Sequence, residues 1–266
     1  MHEFEYHRPK TLAEASALLQ QEADGKLLAG GQTLIPTLRQ RLASPSALID
    51  LAGLPELTGI ERTGQVISIG AMTRYAAIVE SPLVRTVLPS IARMVAMIGD
   101  PLVRNRGTIG GSLANNDPTA DLPAAALALD ARMITDRRSI DAHDFFVDLF
   151  TTALLPGEIL TRIDFPMPRR AAYIKFRNPA SRYAVVGVFV SEGPAGIAVA
   201  VTGAGPKVFR QKAFEAALAR EFSPASLVGI TVDSDGLNSD LHASADYRAN
   251  LVSVLARRAV AAAISA

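Results

Sequence analysis

The chain has 266 residues, 49% hydrophobic and 20% charged, enough material for a sizeable core and two or three domains. A formal net charge of +1 gives no electrostatic case for nucleic acid, and no aromatic-studded basic stripe supplies one. Cysteine is absent, which excludes disulfides, a thiolate nucleophile and an iron–sulfur cluster held by this chain's own sulfur.

In chain order, Met1–Tyr6 lacks the apolar stretch of a signal peptide. The longest apolar runs, Ala184–Val190 and Ala259–Ala266, are too short to cross a bilayer, so a cytoplasmic location with no transmembrane segment is expected. Thr11 and Glu14 form a capping-box pattern, with Leu12, Ala15, Leu18 and Leu19 as the stripe of a helix ending at Gly25. Lys26–Ala29 and Ala47–Leu51 read as short strands, making residues 1–55 a small α/β unit. A hairpin of Leu57–Arg62 and Gln65–Ala71 turns at Thr63-Gly64. Helices are predicted at Tyr75–Glu80 and Leu83–Ile98, the second from the spacing of Leu83, Val87, Ile91, Met94 and Ile98. Asp117-Pro118 reads as an N-cap and N1 proline opening a helix through Ala124–Leu129.

A turn at Met167–Arg170 closes the second unit, 56–168. In the last unit, 169–266, strands are predicted at Ala172–Arg177, Tyr183–Glu192 and Ile197–Thr202, with Gly193–Gly196 as a turn. Helices follow at Phe209–Arg220 and Ala245–Ile264, the latter with Leu251, Val254, Leu255 and Ala262 on one face.

Two glycine-paired loops carry the chemistry. The first is Leu28-Ala29-Gly30-Gly31-Gln32-Thr33-Leu34; the second is Thr108-Ile109-Gly110-Gly111-Ser112, continuing through Asn115 and Asp117 to Asp121. Paired glycines let backbone N–H groups converge on an anion, and two such loops together can hold a diphosphate. Other constellations are missing. No glycine follows Ser112 at nucleophile-elbow spacing, there is no P-loop, and His2, His7, His143 and His242 show no metal-ligand spacing. Thr202–Lys207 begins like a dinucleotide fingerprint but lacks the third glycine, and reads as a turn. No catalytic residue and no metal ligand are assigned.

The ordered set Ala29–Leu34, Ile69–Thr73, Thr108–Ala114, Asp117–Pro123, Phe150–Leu154, Tyr173–Phe176, Val201–Pro206 and Asp240–Arg248 resembles the flavoprotein (medium) subunit of the molybdenum hydroxylases, over essentially the whole chain. That family includes carbon monoxide dehydrogenases, and xanthine dehydrogenases carry an equivalent domain. The resemblance implies an α+β fold: a two-subdomain FAD-binding domain of the PCMH type, like that of vanillyl-alcohol oxidase, then a small C-terminal domain of a three-stranded antiparallel sheet with helices. It implies FAD as cofactor, an iron–sulfur small subunit and a molybdenum-cofactor large subunit as partners in a dimer of heterotrimers, and an external electron acceptor. The lack of cysteine agrees with that division of labour.

The same resemblance brings both glycine loops to the pyrophosphate, with the Thr33 and Thr108 hydroxyls beside it. Asp121 and Lys175 are implied near the flavin nucleotide, Ile98 and Leu160 as apolar flavin contacts, and Tyr183 as a shield for the isoalloxazine face. Plain readings stand beside these: a helix-dipole partner for Asp121, a solvated strand lysine for Lys175, and core packing for Ile98, Leu160 and Tyr183. Arg104 and Arg106 flank the second loop, either raising its anion affinity or facing a partner. Two features depart from the family: the Met133–Ile140 hairpin is short, and Asn116 stands where alanine is common. The competing reading is a stand-alone FAD-dependent oxidoreductase acting directly on a small substrate.

Overall fold

The computed structural model describes residues 1–265. The chain builds three main sheets in succession, with a two-stranded ribbon beside the second. The first contains β1 (Glu5–His7), β2 (Lys26–Leu28) and β3 (Ala47–Asp50), all parallel in the order β1-β3-β2, with α1 (Leu12–Gln21) and α2 (Leu34–Arg39) in the connections. Thr11 Oγ1 accepts from Glu14 N at 3.1 Å, while the Glu14 carboxylate reaches back one residue further than a capping box requires, to Lys10 N at 2.8 Å.

The second sheet is antiparallel, in the order β4-β5-β10-β6-β7. It opens with the expected hairpin, β4 (Ile60–Thr63) and β5 (Val66–Gly70). Six helices come next: α3 (Tyr75–Glu80), α4 (Pro82–Val87), α5 (Pro89–Ala96), α6 (Pro101–Arg106), α7 (Ile109–Asn115) and α8 (Leu122–Ala128). The short hairpin of β6 (Arg132–Thr135) and β7 (Ser139–Asp141), the turn α9 (Ala142–Phe145), the ribbon of β8 (Phe146–Asp148) and β9 (Thr151–Thr152), and β10 (Leu160–Pro166) complete the unit.

The predicted helix Leu83–Ile98 is broken. Pro89 has no N–H to donate and Leu88 leaves helical geometry at φ −143°, ψ 51°, so one amphipathic stripe becomes two short helices. Asp117-Pro118 does not open α8 either. The Asp117 carboxylate caps its own turn, accepting from Thr119 N at 2.8 Å and Thr119 Oγ1 at 2.6 Å, and the helix starts at Leu122.

The third sheet has four strands rather than three: β11 (Arg170–Arg177), β12 (Ala184–Gly193), β13 (Gly196–Thr202) and the short edge β14 (Phe209–Arg210). Phe209 pairs with Val201 across the sheet, so α10 (Lys212–Arg220) starts three residues later than expected. Along β12, Phe189 packs into the main core while Val186, Val188 and Val190 pack under α10 and α11 (Ala245–Ile264). A strand covered on both faces explains its unbroken apolar run. The buried face of α11 is Leu251, Val252, Leu255, Ala256, Ala259, Val260 and Ala263; Val254 and Ala262 are only half-buried.

The main core joins Ile67, Ile69, Phe145 and Phe165 of the second unit to Tyr173, Phe189 and Ala200 of the third sheet, so packing is continuous past residue 168. Each fully buried phenylalanine in it contributes on the order of 2–3 kcal/mol of burial.

Candidate functional site

The loops that end β2 and start α7 meet in space. Gly30 packs so tightly on the other loop that a Cβ there would lie 2.2 Å from the Arg106 carbonyl oxygen and 2.8 Å from Gly107 Cα. Between the loops runs a cleft of about 680 Å³, a volume typical of cofactor sites. Ala29–Leu34 form one wall. Gly107, Thr108, Gly110–Ser112, Asn115, Asp117 and Asp121 form the other, with Met72, Tyr75, Ile98, Phe150, Leu154 and Leu160 as apolar lining and Tyr183 where the β11–β12 loop enters β12.

The two walls differ in what they offer. In the first loop, none of the N–H groups of residues 30–34 donates to another protein group among the described residues. Gly31 holds φ +70°, the left-handed geometry that turns successive amides toward one side. In the second loop the amides are already used: Ile109 N donates to Thr73 O at 3.1 Å, Gly110 N to Ala71 O at 2.8 Å, and Gly111 N to the Thr108 hydroxyl oxygen at 3.1 Å. Thr108 thus N-caps α7 and still has a hydroxyl proton to give.

Beneath the second wall is a buried polar cluster. Tyr173 donates its hydroxyl to one oxygen of Asp121, and Lys175 Nζ sits 2.7 Å from the other. Gly187, opposite on β12, leaves the room that the tyrosine hydroxyl occupies. Burial pushes the Asp121 carboxyl up, with Lys175 and Tyr173 working against that shift. Burial also raises Tyr173 well above the usual tyrosine range, helped by the carboxylate beside it. Thr202 Oγ1 ties the 118–120 turn to the third sheet, donating toward Pro118 O at 2.9 Å and Ala120 O at 2.7 Å.

The model for the FAD binding domain in molybdopterin dehydrogenase matches residues 2–168. The chain belongs to this family. It is 35% identical to the carbon monoxide dehydrogenase medium chain of Hydrogenophaga pseudoflava, over 98% of this chain and 96% of that one. It is 37% identical to the nicotine 6-hydroxylase medium subunit of Paenarthrobacter nicotinovorans, over 96% and 95%. A solved structure of carbon monoxide dehydrogenase from Hydrogenophaga pseudoflava superposes with a TM-score of 0.90 at 36% identity, covering 98% of this chain and 97% of that one. The protein is therefore an FAD-binding medium subunit of the molybdenum hydroxylases, an oxidoreductase subunit with the fold of the carbon monoxide dehydrogenase medium chain.

In this FAD-binding subunit most of the expected site residues line the cleft, but three do not. Leu28 and Ile109 sit behind their loops, and Lys175, with its side chain 2% exposed, lies under the cleft floor against Asp121. Arg104 is turned away, its guanidinium donating to Ile98 O at 3.0 Å and Gly99 O at 3.3 Å. Across the mouth, Arg182 donates to Gly99 O at 3.0 Å, fixing the loop beside Tyr183.

Glu158 is a cleft residue that sequence reasoning missed. Bonds from Arg138, Leu155 N and Thr135 hold its carboxyl at about 2, down from an ordinary 4.5. Its signal was present only as an acid and a basic residue twenty positions apart. Sequence spacing also hid the approach of Glu5, His7 and Glu22, whose ligand-type atoms lie within 4.8 Å of one another. Glu5 is 73% exposed, and its carboxylate lies 3.4 Å from His7 Nε2 at the edge of the first sheet.

Among the described residues no helix is long and apolar enough to cross a membrane.

Proposed function

We propose that this chain is the electron-transfer subunit of its complex, carrying electrons from iron–sulfur clusters on a partner to an external acceptor. Substrate hydroxylation would belong to a molybdenum-cofactor subunit, and the assembly would be a dimer of heterotrimers in the cytoplasm. FAD, when bound, supplies flavin redox chemistry that accepts and releases electrons singly or in pairs. The observation that carries the FAD-binding part of this reading is the run of amides at residues 30–34 with no protein acceptor, in a loop lining a cleft that apolar side chains also line.

The residues proposed to hold the cofactor divide by role. Ala29–Leu34 supply diphosphate donors, with the hydroxyls of Thr33, Thr108 and Ser112 beside them. Asn115, Asp117 and Asp121 supply acceptors for hydroxyl and ring N–H groups. Ile98, Leu160 and Tyr183 exclude water from the flavin end. Leu28, Ile109 and Lys175 act from beneath, by supporting the loops and neutralising Asp121. Division at about residues 55 and 168 into two FAD-binding subdomains and a C-terminal unit is supported by the three separate sheets and by the family match ending at 168.

The test is to purify the native complex, identify the chains that accompany this one, and follow the visible flavin absorbance under anaerobic conditions. The expected outcome is non-covalent FAD, released intact by acid, that substrate bleaches in the complex and leaves unchanged in the isolated chain. Rapid bleaching of the lone subunit by a small organic substrate would overturn the proposal in favour of a stand-alone oxidoreductase.

A further inference from the structure

Phe150 is an unusual cleft residue. It stands in the two-residue link between β8 and β9 at φ 50°, left-handed backbone that a bulky aromatic rarely adopts, and it is 56% exposed. A side chain that exposed adds little to the core, so the strained turn has no packing rationale. Phe150 does line the cleft, together with Asn115 and Asp117.

What holds the turn in place is Asn116. This residue is fully buried and itself left-handed, at φ 45°, where it ends α7. Its Nδ2 donates to Asp148 O and Thr151 O, both at 2.8 Å, on either side of the link, and its own carbonyl accepts from Phe150 N at 3.3 Å. The amide orientation is fixed, because reversing it would set Oδ1 against two carbonyl oxygens. Oδ1 has no partner, so the side chain is retained for its two donations. The end of α7 and the Phe150 turn are thereby locked in register.

The geometry points to Phe150 as an aromatic cover over the bound dinucleotide, and to Asn116 as the positioning residue that holds it there. This rests on FAD occupying the cleft. Neither residue is among the diphosphate donors, and Phe150 touches the ligand only if the clamp sets the turn at this height.

The test uses the full chain loaded with FAD. Two quantities are measured: the rate of FAD release into excess buffer and the iodide quenching of the residual flavin fluorescence. Phe150→Ala should release FAD about tenfold faster and increase quenching, while the thermal midpoint of the FAD-free chain stays the same. Phe150→Tyr should restore both. Asn116→Gly keeps a left-handed backbone and removes only the two side-chain donations, so it should move both readouts the same way by roughly threefold. If that variant does not fold, the Phe150 pair still decides. Phe150→Ala with unchanged release and quenching would overturn the cover; an unchanged folded Asn116→Gly would overturn the clamp. Failure of the wild-type chain to hold FAD would instead overturn the functional reading, and this inference with it.

Discussion

The two glycine-paired loops look alike in sequence and differ in the fold. The first, residues 29–34, presents a run of amides with no acceptor inside the protein. The second has spent the amides of residues 109–112 on Thr73, Ala71 and Thr108, and its glycines allow helix α7 to press against β5 and the loop after it. Gly110 shows why. A Cβ there would lie 2.5 Å from Ala71 Cβ and 2.7 Å from Ala71 O. Glycines of both pairs remove bulk at close contacts, Gly30 against Arg106 and Gly110 against Ala71, but only the first loop leaves its amides without a protein acceptor. A motif that promises anion binding is therefore only half of the statement, and the hydrogen-bond inventory of the folded loop supplies the rest.

The largest effect that sharpens this contrast is expected from Gly110→Val. Branched bulk against the Ala71 backbone should cost about 3 kcal/mol, visible as a fall of several degrees in the thermal midpoint of the FAD-free chain. Gly30 cannot serve as a clean ligand probe, because its added Cβ would strike the Arg106 carbonyl and force the loops apart.

Tyr173→Phe tests the closed side at its floor. It removes the hydroxyl from a buried carboxylate and leaves Asp121 with Lys175 alone, at a cost of about 2 kcal/mol in chemical denaturation. If stability were unchanged, the cluster would not be the rigid support described.

Gly31→Ala probes the open side. The φ of +70° becomes strained, with a stability loss of about 1 kcal/mol. The informative change is in FAD affinity, which should fall about tenfold by equilibrium titration as the amides lose their common direction. Equal FAD affinity in Gly31→Ala and wild type would break the comparison.

The last effect concerns acid. Glu158 is held at about 2 against an ordinary 4.5, so its folded-state pKa is depressed. Its contribution is present above about 4.5 and is lost as pH falls toward 2. Glu158→Gln should be less stable than wild type at neutral pH, and the gap should close across that window in denaturation curves. Arg138 is 42% exposed, so added salt should shrink the gap.

Much of the fold was legible because local signals agreed with tertiary demands. The N-cap at Thr11, the Thr63-Gly64 hairpin, the Gly193–Gly196 turn and the helix Ala245–Ile264 all combine turn chemistry with a clear period. What stayed hidden had competing or absent local signals. Pro89 interrupts a stripe whose periodicity alone reads as one helix. Helix α7 carries the glycine pair Gly110-Gly111 in its first turn, where propensity argues against it, and its stability comes from the Thr108 cap and the bonds to Ala71 and Thr73. Edge strand β14 is two residues long and exists because Val201 offers a ladder position.

At the site, the lining residues of both loops were legible as motifs. Their division of labour was not, since it depends on which acceptors lie nearby in space. The Asn116 clamp, the burial of Lys175 and the Glu158–Arg138 pair likewise join segments separated in sequence, and no spacing rule announces them.

The most direct test of the account is backbone amide hydrogen exchange on the full chain with and without FAD. The amides of residues 30–34 should exchange fast in the free chain and become protected when FAD binds, while those of 109–111 should be slow in both states. Strong FAD-dependent protection at 109–111 with none at 30–34 would contradict it.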